Sequence, residues 1–484
     1  MDPRGPALGI DIGTGKIAAV ILDPAGSVLA VVSRPHQAAI SAPPGHSEQD
    51  PQKLYSVARD VVRELPDPLR KQVRSIGLTG QMHGVVLVDG QNHPVGPLIT
   101  WQDQRVLADN FFSALQDRLN KWIFVGYGFV TLSYLCAKQL LLPGTACGAT
   151  IHAWLASRLC GLSRPVLDPT DARSWGLYDG LSEGGWDHSE IEKAQIPQNI
   201  IPDIVPTGSQ IGSLTELMAA EFGLPRGTAV FAALGDNQAS VIATLDYPQT
   251  DLGLTLGTGG QLSAVVELDE KYFKGMEQQR FEDRYEELTG RHPGKAKYRK
   301  VISESYELRP YLGGKQRLAV AALLCGGSAW NWLADTVHRW MADLGAAPID
   351  TTELFARLNT TELFARLNEL GLKSHSTVLV RPHFLGERFD PELRGRIDGL
   401  DINPLDLGAI ARSVAMGIAD SMRIMMPFHI LNKRKRIVAS GNALRRNPLL
   451  VKAAEEVFDL PVVLSPWTEE AACGAAKIAL GAIL

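Results

Sequence analysis

The feature that most constrains the fold is a strand–glycine turn–strand unit that occurs twice. The first copy is LGIDIGTGKIAAVILD (8–23) and the second is LGLTLGTGGQLSAVVELD (252–269). In each copy a GTG turn separates two short apolar runs, which predicts an antiparallel hairpin rather than a strand–helix–strand unit. Two such units half a chain apart predict a duplicated architecture of two lobes with a cleft between them, divided near residues 245–250.

The segments around these units alternate between strand and helix patterns, as in an α/β protein. SVLAVVSR (27–34) and SIGLTGQ (75–81) are predicted strands, and residues 51–65 are a predicted helix with Asp50 as its N-cap and Pro51 at its first position. We expect an N-terminal domain at 1–247 and a C-terminal domain at 248–484. The second carries a charged insertion at 268–316, which is interpreted as a solvated surface segment.

Composition excludes several classes of protein. Hydrophobic residues make up 45% of the 484 residues and charged residues 21%, which is typical of a globular chain. The net charge of −5 offers no basic field for nucleic acid or an anionic membrane. The uncharged stretches at 122–137 and 139–157 are too short or too polar to span a bilayer and are expected in the core. Scattered cysteines without metal spacing indicate reduced thiols, and we expect a cytoplasmic protein of undetermined oligomeric state.

A nine-residue segment, TTELFARLN, occurs in tandem at 351–359 and 360–368. Nine residues turn an α-helix by about two and a half turns, so the apolar side chains of the two copies would face opposite sides of one helix. We therefore expect one copy to dock and the other to form a displaced turn or a separate short helix. No function is assigned to the repeat.

The first glycine turn matches neither of the common nucleotide-binding motifs. A Walker A loop would require glycine in place of Ile10 and serine or threonine in place of Ile17. A dinucleotide fingerprint would require a helix after the turn, where a β-rich run follows. Both interpretations are excluded.

What remains is a hairpin turn that presents backbone amides. The amides of Gly13, Thr14 and Gly15 suit phosphate oxygens, and Asp11 is placed to hold a hydrated Mg²⁺. A tight hairpin without a ligand is the alternative. The second copy of the turn favours phosphate binding, because a triphosphate in a cleft needs donors from both walls.

Asp236 is the candidate general base. It follows Gly235 and opens an apolar helical stretch, and a helix N-terminus favours the ionised carboxylate. Phosphoryl transfer to an alcohol needs a base within hydrogen-bonding reach of the hydroxyl. A simple N-cap role explains the same position, and spacing alone leaves both interpretations open.

Nine segments of the chain, in order, resemble the signature segments of the FGGY family of carbohydrate kinases. They are GIDIGTG (9–15), SEQDP (47–51), GLTGQMHG (77–84), TWQDQR (100–105), GDNQAS (235–240), LGTGG (256–260), FLGERFDPELRGRIDGL (384–400), ASGNALRRNPLL (439–450) and EEAACGAA (469–476). The resemblance implies a two-lobed actin/hexokinase-like (ribonuclease H-like) α/β fold with a central cleft. It also implies ATP-dependent phosphorylation of a sugar, with ATP and Mg²⁺ as cofactors and small molecules as the only partners.

The resemblance also implies roles for individual residues, with Asp236 as the base and Asp11 and Asp236 at the metal. The implied sugar contacts are Glu48, Gln49, Gln81, Met82, His83, Trp101, Asp103, Arg105 and Asn237. The implied nucleotide contacts are Gly13, Thr14, Gly15, Gly257, Thr258, Gly259, Gly260, Gly326, Gly327, Gly441 and Asn442. Three alternatives stay open: a structural role for the histidine, a loop ion pair between the acid and the arginine of TWQDQR, and tight packing at the glycine pairs.

Within the family, several segments of the sequence are most similar to those of kinases that act on the seven-carbon ketose sedoheptulose. This resemblance implies sedoheptulose 7-phosphate as product. The segments concerned are GLTGQMHGVV (77–86), TWQDQR (100–105), GYGFVTLSYL (126–135), 148–176 and WMADLG (340–345). A xylulokinase or another pentulose kinase is the alternative. Gly15, Ala18 and Gly259 stand where the family usually has hydroxyl side chains or lysine, which motivates a second alternative, a sugar sensor with little turnover. An actin-like filament or chaperone ATPase would not need the GQMHG and WQDQR segments.

Overall fold

The computed structural model describes residues 5–119, 121, 123–179, 185–267, 305–313, 316–344, 360–387, 390, 392–402 and 405–481. These residues fold into two compact units. The first unit comprises Met1–Ala243, Arg309–Gly314 and Glu469–Leu484, and the second comprises Thr244–Leu308 and Lys315–Thr468.

The elements are numbered in chain order within the described residues. The strands are β1 (Ala7–Ile12), β2 (Lys16–Leu22), β3 (Val28–Pro35), β4 (Ala39–Ile40), β5 (Glu48–Gln49), β6 (Ser75–Gly80), β7 (Val86–Val88), β8 (Leu98–Ile99), β9 (Cys147–Ala149), β10 (Val166–Leu167), β11 (Tyr178–Asp179), β12 (Gly185–Trp186), β13 (Asp203–Ile204), β14 (Gln210–Ser213), β15 (Ala229–Phe231), β16 (Leu234–Gly235), β17 (Asp251–Leu256), β18 (Gly260–Glu267), β19 (Glu307–Pro310), β20 (Gln316–Leu323), β21 (Leu379–Arg381), β22 (Arg396–Asp398), β23 (Arg436–Ser440) and β24 (Val462–Leu464). The helices are α1 (Pro51–Glu64), α2 (Asp67–Arg70), α3 (Phe111–Arg118), α4 (Gly128–Ala137), α5 (Ile151–Leu159), α6 (Pro169–Trp175), α7 (His188–Lys193), α8 (Glu216–Phe222), α9 (Asp236–Thr244), α10 (Gly327–Asp343), α11 (Thr360–Lys373), α12 (Leu407–Met425), α13 (Phe428–Leu431), α14 (Asn442–Arg446), α15 (Pro448–Phe458) and α16 (Glu470–Ala479), with 3₁₀ turns at Arg105–Asn110 and Gln198–Ile200.

The two main sheets share one arrangement of strands. The first has the order β14-β15-β6-β1-β2-β3, with β16 also paired to β6, and the second has the order β19-β20-β18-β17-β23-β24. In each sheet a hairpin (β1–β2 or β17–β18) is antiparallel, and its first strand also pairs in parallel with a later strand (β6 or β23). The predicted hairpins and the predicted duplication of the architecture are therefore confirmed.

Helix α1 forms where the sequence predicts it. The Asp50 carboxylate accepts hydrogen bonds from the amides of Gln52 and Lys53, and Pro51 occupies the first helical turn. An apolar stripe that includes Leu54, Ala58 and Val61 is fully buried in the core of the first unit. Capping side chain, proline and 3.6-residue periodicity together fix this helix locally.

Helix α16 lies against β1 and β6 of the first sheet, although it comes from the end of the chain. A Cβ atom at Gly9 would lie 1.9 Å from the Ala472 carbonyl oxygen, and one at Gly77 would lie 1.9 Å from the Ala475 carbonyl oxygen. Glycine at these two positions lets the helix backbone approach the strands directly. These glycines therefore belong to helix–sheet packing.

The end of the charged segment corrects one expectation. Residues 307–310 form β19 rather than a solvated surface, and Ser305, Tyr306, Arg309 and Tyr311 are buried. Apolar rings and a buried guanidinium in this stretch account for its ordered packing. Residues 268–304 lie outside the described part of the chain.

The second copy of the tandem repeat begins α11. Leu363 and Leu367 of that copy are buried in the core of the second unit. The copy at 351–359 lies outside the described residues, so the predicted displacement of one copy is not tested.

The two uncharged stretches contribute to the core, as expected. Helices α4 and α5 are buried along most of their length. Across the described ranges, no helix combines the length and the hydropathy that a bilayer-spanning segment requires. All five cysteines lie in these ranges, are buried or half-buried, and are not joined in disulfides.

Candidate active site

Strand β6 brings the two predicted carboxylates to one edge of the first sheet. Asp11 of β1 pairs with Thr79 of β6, and Gly235 of β16 pairs with Gly80 of β6 on the opposite side. All three strands are parallel, so the end of β1 and the residue after β16 emerge at the same edge. Asp236, the first residue of α9, is therefore close enough to Asp11 for the two charges to interact.

Asp11 is half-buried, and its Oδ1 atom is buried without a hydrogen-bond partner among the described residues. Desolvation, together with the carboxylates of Asp236 and Glu469, raises its pKa to about 7 against the opposing charges of His152 and Lys16. A divalent cation would supply what this oxygen lacks. The site fits Mg²⁺, which binds through one or two carboxylates and completes its shell with water and phosphate oxygens. No group of three or more acidic, histidine or cysteine side chains suited to a metal occurs within the described residues.

Asp236 is half-buried, and desolvation raises its pKa to about 6. The charge of His152, the amide of Asn237 and the charge of Arg309 act in the opposite direction, whereas Asp171 adds to the rise. A carboxyl with a pKa near 6 is still mostly ionised at pH 7, as expected. The amide at the start of α9 lowers the pKa of Asp236, as expected, but desolvation outweighs it and the net shift is upward.

A buried histidine–aspartate pair near Asp236 was missed by the sequence analysis. The His152 Nε2 atom lies 2.7 Å from Oδ2 of Asp171, and both side chains are fully buried. Burial opposes the charged form of His152, but Asp171, through charge and hydrogen bond, together with Asp236 and Asp168, raises the pKa of His152 above its usual value. In the sequence this histidine is only a polar interruption of an apolar run. Only the packing of α5 against α6 identifies it as a site residue.

The first glycine turn is tied to the predicted sugar segments through Thr14. The Thr14 carbonyl oxygen accepts hydrogen bonds from Nε2 of Gln49 at 2.9 Å and contacts the ring Nε2 of His36 at 2.8 Å. The Trp101 indole donates to Thr14 Oγ1 at 3.0 Å, and Trp101 is 41% exposed. Because the threonine hydroxyl accepts from the indole, its own proton is left to donate to a ligand oxygen.

The two glycines of this turn do not adopt the backbone conformation of an anion nest. Neither Gly13 nor Gly15 adopts a left-handed backbone, so the alternating conformation of a nest is not formed. A Cβ atom at Gly15 would meet no atom within 4 Å. Gly15 therefore leaves open space beside the backbone, which suits close approach by a ligand.

The GQMHG segment brings Gln81, Met82 and His83 to the same region. Gln81 donates through Nε2 to Gln49 Oε1 at 2.8 Å, and its own Oε1 is buried without a partner. Met82 packs against Gly235, since a Cβ atom there would lie 2.6 Å from the methionine Cε. His83 contacts the Ser174 carbonyl oxygen through Nδ1 at 2.7 Å. This contact anchors the ring to the end of α6.

The ring of His83 also stacks on Tyr127, with centroids 4.8 Å apart and planes 7° apart. Its backbone φ is +73°, a left-handed conformation that is uncommon outside glycine. These contacts are the structural role that stood as an alternative for this residue. They fix the ring without assigning it a sugar contact.

Asp103 and Arg105 form the predicted loop ion pair. Arg105 donates through Nε to Oδ1 of Asp103 and through Nη2 to Oδ2, both at 2.8 Å. The same Nη2 reaches Oε1 of Glu48 at 2.6 Å, and the Ser47 amide donates to Oδ2 of Asp103 at 2.7 Å. Asp103 is 2% exposed. It therefore supports Arg105 and Glu48 rather than facing a ligand itself.

Two further polar contacts involve residues that are distant in sequence. Oδ1 of Asn237 accepts from Nη1 of Arg309 at 3.1 Å, and both residues are buried. Lys16 Nζ lies 2.7 Å from both carboxylate oxygens of Glu469. Arg309 was not predicted, because nothing in its local sequence links it to Asp236, and Glu469 was noted only as part of the EEAACGAA segment, without a contact to Lys16 or Asp11.

In the second unit, the second glycine turn packs against the start of α10. Gly326 donates to the Thr258 carbonyl oxygen at 3.1 Å, and Gly327 donates to that of Gly257 at 2.8 Å. Cβ atoms at Gly326 and Gly327 would lie 2.3 Å from the Gly259 backbone and 2.2 Å from the Gly257 carbonyl oxygen. Tight packing therefore accounts for this glycine pair. The two amides donate within the turn, and the predicted nucleotide contact at these glycines stays a prediction.

The other predicted nucleotide residues lie next to the same turn. Gly260 begins β18, and Gly441 has a φ of +88°. A Cβ atom at Gly441 would lie 2.4 Å from the Leu256 carbonyl oxygen, and Asn442 is the first residue of α14. The second unit thus places these residues around the end of β17, and their nucleotide contacts stay predictions.

Comparison with known families decides the identity. The N-terminal domain of the FGGY family of carbohydrate kinases matches residues 7–243, and the C-terminal domain of the same family matches residues 297–483. The chain belongs to the FGGY family of carbohydrate kinases. Membership confirms the resemblance drawn from the nine signature segments and the assignment as a sugar kinase. Because kinases of this family are ATP-dependent, it also supports ATP as the phosphoryl donor.

Individual relatives extend over the whole chain. The chain is 30% identical to the sedoheptulokinase of Homo sapiens and 31% identical to that of Mus musculus, over 99% of its own length and 98% of theirs. The solved structure of xylulose kinase from Rhodospirillum rubrum is similar, with a TM-score of 0.77 and 23% identity over 98% of this chain and 89% of that one. At that identity the structural likeness shows the fold alone, and it confirms the predicted fold class.

Proposed function

We propose that this FGGY-family kinase transfers the γ-phosphoryl group of ATP to sedoheptulose, giving sedoheptulose 7-phosphate and ADP. The sedoheptulokinases of Homo sapiens and Mus musculus are similar to the chain over 99% of its length. The observation that carries the reaction type is the carboxylate of Asp236, half-buried and close to Asp11 at the edge of the first sheet.

Asp236 acts as the general base. A base works best when its pKa lies near the working pH but its ionised form still dominates, and the pKa of about 6 meets this condition. The acceptor hydroxyl of the sugar donates its proton to this carboxylate as the oxygen attacks the γ-phosphorus.

The acceptor sugar is held by side chains of the first unit. Arg105 and Glu48 form a charged pair that offers donors and acceptors to the hydroxyls of a polyol. Trp101 presents a partly exposed apolar ring for the C–H surfaces of the sugar. Met82 packs beside the residue that precedes the base and places apolar contact near the reacting end.

Asp11 would hold the metal ion that accompanies the triphosphate. Its partnerless buried oxygen and raised pKa support this role. When bound there, Mg²⁺ neutralises charge on the phosphate oxygens. Thr14 and the amide of Gly15 would donate to the same phosphates, whereas the contribution of residues 257–260 stays a prediction.

The sugar specificity is tested with purified protein, Mg-ATP and a panel of ketoses in a coupled assay for ADP. We expect sedoheptulose to give the highest kcat/KM. A higher kcat/KM for xylulose would contradict this assignment and favour the pentulose kinase alternative. Absence of turnover with every ketose would favour the sugar sensor.

The role of Asp236 is tested with Asp236→Asn. Asparagine caps a helix about as well as aspartate but cannot accept a proton, so it separates the two interpretations of this residue. We expect kcat to fall by about 10²–10⁴-fold with the fold retained. Asp406→Asn, which replaces the exposed N-cap of α12, is the matched control and should leave kcat unchanged. Full activity of the Asp236→Asn variant would indicate that the residue serves only as a helix N-cap and not as a base.

A further inference from the structure

The backbone that leads into Asp236 is held on both sides by buried threonine hydroxyls. The Thr79 hydroxyl donates to the Leu234 carbonyl oxygen at 2.8 Å. The Gly235 amide donates to Thr170 Oγ1, also at 2.8 Å. Both threonines are fully buried. The two residues before Asp236 are thus fixed by side chains as well as by pairing with β6.

The Thr170 hydroxyl has a single orientation, because it acts both as a hydrogen-bond donor and as an acceptor. It donates to Oδ1 of Asp168 at 2.6 Å while it accepts from the Gly235 amide. Asp168 is itself fixed by the amides of Thr170 and Asp171 at 2.9 and 3.0 Å and by the Thr207 hydroxyl at 2.7 Å. A hydrogen bond of this length inside the protein is directional, and the low local dielectric strengthens it.

The hydrogen bond from the Gly235 amide to Thr170 affects the carboxylate of Asp236, because Gly235 directly precedes it. Gly235 is the last residue of a two-residue strand, and Asp236 is the first residue of a helix. The chain therefore changes direction at the peptide that carries the base. Met82 packs against Gly235 from one side, so the peptide is held between this side chain and Thr170. A small rotation at this point would move the carboxylate relative to the acceptor hydroxyl.

We propose that Thr170, oriented by Asp168, is a positioning residue for the base Asp236, acting through the Gly235 amide. This inference rests on the proposed function. Thr170 touches neither substrate nor phosphate in this role. Its hydroxyl holds the strand-to-helix junction so that the carboxylate meets the sugar hydroxyl at the reactive distance. Loss of the hydroxyl is expected to lower the rate of the chemical step and leave substrate binding unchanged.

The test compares Thr170→Val with Thr170→Ser. Valine keeps the shape and removes the hydroxyl, whereas serine keeps the hydroxyl. Misplacement of a reacting group by about 1 Å costs about 10²-fold in rate. We expect Thr170→Val to lower kcat by about 10- to 100-fold, with KM for ATP and for the ketose within about twofold of wild type. Thr170→Ser should restore kcat to within about threefold, as expected for a hydroxyl that acts through its hydrogen bonds.

Thr228→Val is the matched control. Thr228 is also fully buried in the first unit, and its hydroxyl donates to the Pro225 carbonyl oxygen at 2.8 Å, outside the site. We expect it to keep the wild-type kcat. If Thr170→Val does not fold, Thr170→Ala removes the same hydroxyl in a smaller side chain and should show the same loss of kcat.

Three results would overturn the inference. The first is an equal kcat for the Thr170→Val and Thr228→Val variants, and the second is a loss expressed in KM rather than kcat. The third is failure of Thr170→Ser to restore kcat. A wild-type protein that is inactive with every ketose would instead overturn the proposed function, and this inference with it.

Discussion

Replacing Asp11 with asparagine is expected to stabilise the ligand-free protein and to abolish its activity. One carboxylate oxygen of Asp11 is buried without a partner, and desolvation with the nearby Asp236 and Glu469 raises the pKa of Asp11 from 3.8 to about 7. The folded protein therefore binds a proton that the unfolded chain releases between these two pH values. Stability is lost as the pH rises through that window, because the folded state must then hold an unfavourable charge.

The size of the effect follows from the two pKa values. They differ by about three pH units, and each unit is worth about 1.4 kcal/mol, so ionised Asp11 lowers the free energy of unfolding by about 4 kcal/mol at pH 8. At pH 5 proton uptake reduces this cost to about 2 kcal/mol. Asparagine is neutral at both pH values. The Asp11→Asn variant should thus gain about 2 kcal/mol more at pH 8 than at pH 5, whatever constant cost the buried amide adds.

The assay is thermal unfolding of both proteins at pH 5 and pH 8 without Mg²⁺ or nucleotide. For a unit of this size, 1 kcal/mol shifts Tm by about 2–4 °C, so the Tm difference between variant and wild type should be about 4–8 °C larger at pH 8. Asp406→Asn, an exposed helix cap, should give the same Tm difference at both pH values. A gain for Asp11→Asn that is equal at the two pH values, or larger at pH 5, would refute the reasoning.

Three further predictions concern packing, pH and capping. Gly77→Ala would place a Cβ atom 1.9 Å from the Ala475 carbonyl oxygen, so we expect a loss of about 2 kcal/mol or more in unfolding free energy, whereas Gly90→Ala, in open space, should cost less than about 1 kcal/mol. The kcat should fall about tenfold for each pH unit below about 6 as Asp236 takes up a proton, and a pH–rate profile that stays flat to pH 5 would contradict its role as base. Asp50→Ala should cost about 1 kcal/mol, measured by denaturant unfolding, and Asp50→Asn much less, since only the alanine variant loses both hydrogen bonds at the start of α1.

Local sequence patterns were sufficient to predict the first hairpin and the first helix. Strands β1 and β2 are apolar runs joined by a short glycine turn, and α1 has a capping residue, a proline and an apolar stripe. Such signals depend on neighbours within a few residues, so they can be recognised from the amino-acid sequence alone. The second hairpin repeats them, and the strand order of the two sheets confirmed the duplication that the repeat predicted.

The chemistry around the base depended on contacts that the linear pattern does not contain. His152 and Asp171 are 19 positions apart in sequence and fully buried together. Arg309 reaches Asn237 from a segment that its charge had marked as a solvated surface. No hydrophobic periodicity in the sequence indicates these pairs. Each buried polar side chain forms its hydrogen bond or ion pair with a residue that comes close only when the chain folds.

The sequence by itself determined the family, the duplicated α/β architecture, and the identity of the two carboxylates that the proposed reaction needs. Tertiary structure alone decided that Asp11 and Asp236 flank the same strand, that α16 returns to the first sheet over Gly9 and Gly77, and that Gly326 and Gly327 serve packing. The physical reason is the separation along the chain between the residues that interact. Strand and helix patterns reflect short-range sterics and hydrogen bonding, whereas pKa values and close backbone contacts reflect which distant segments exclude water from one another.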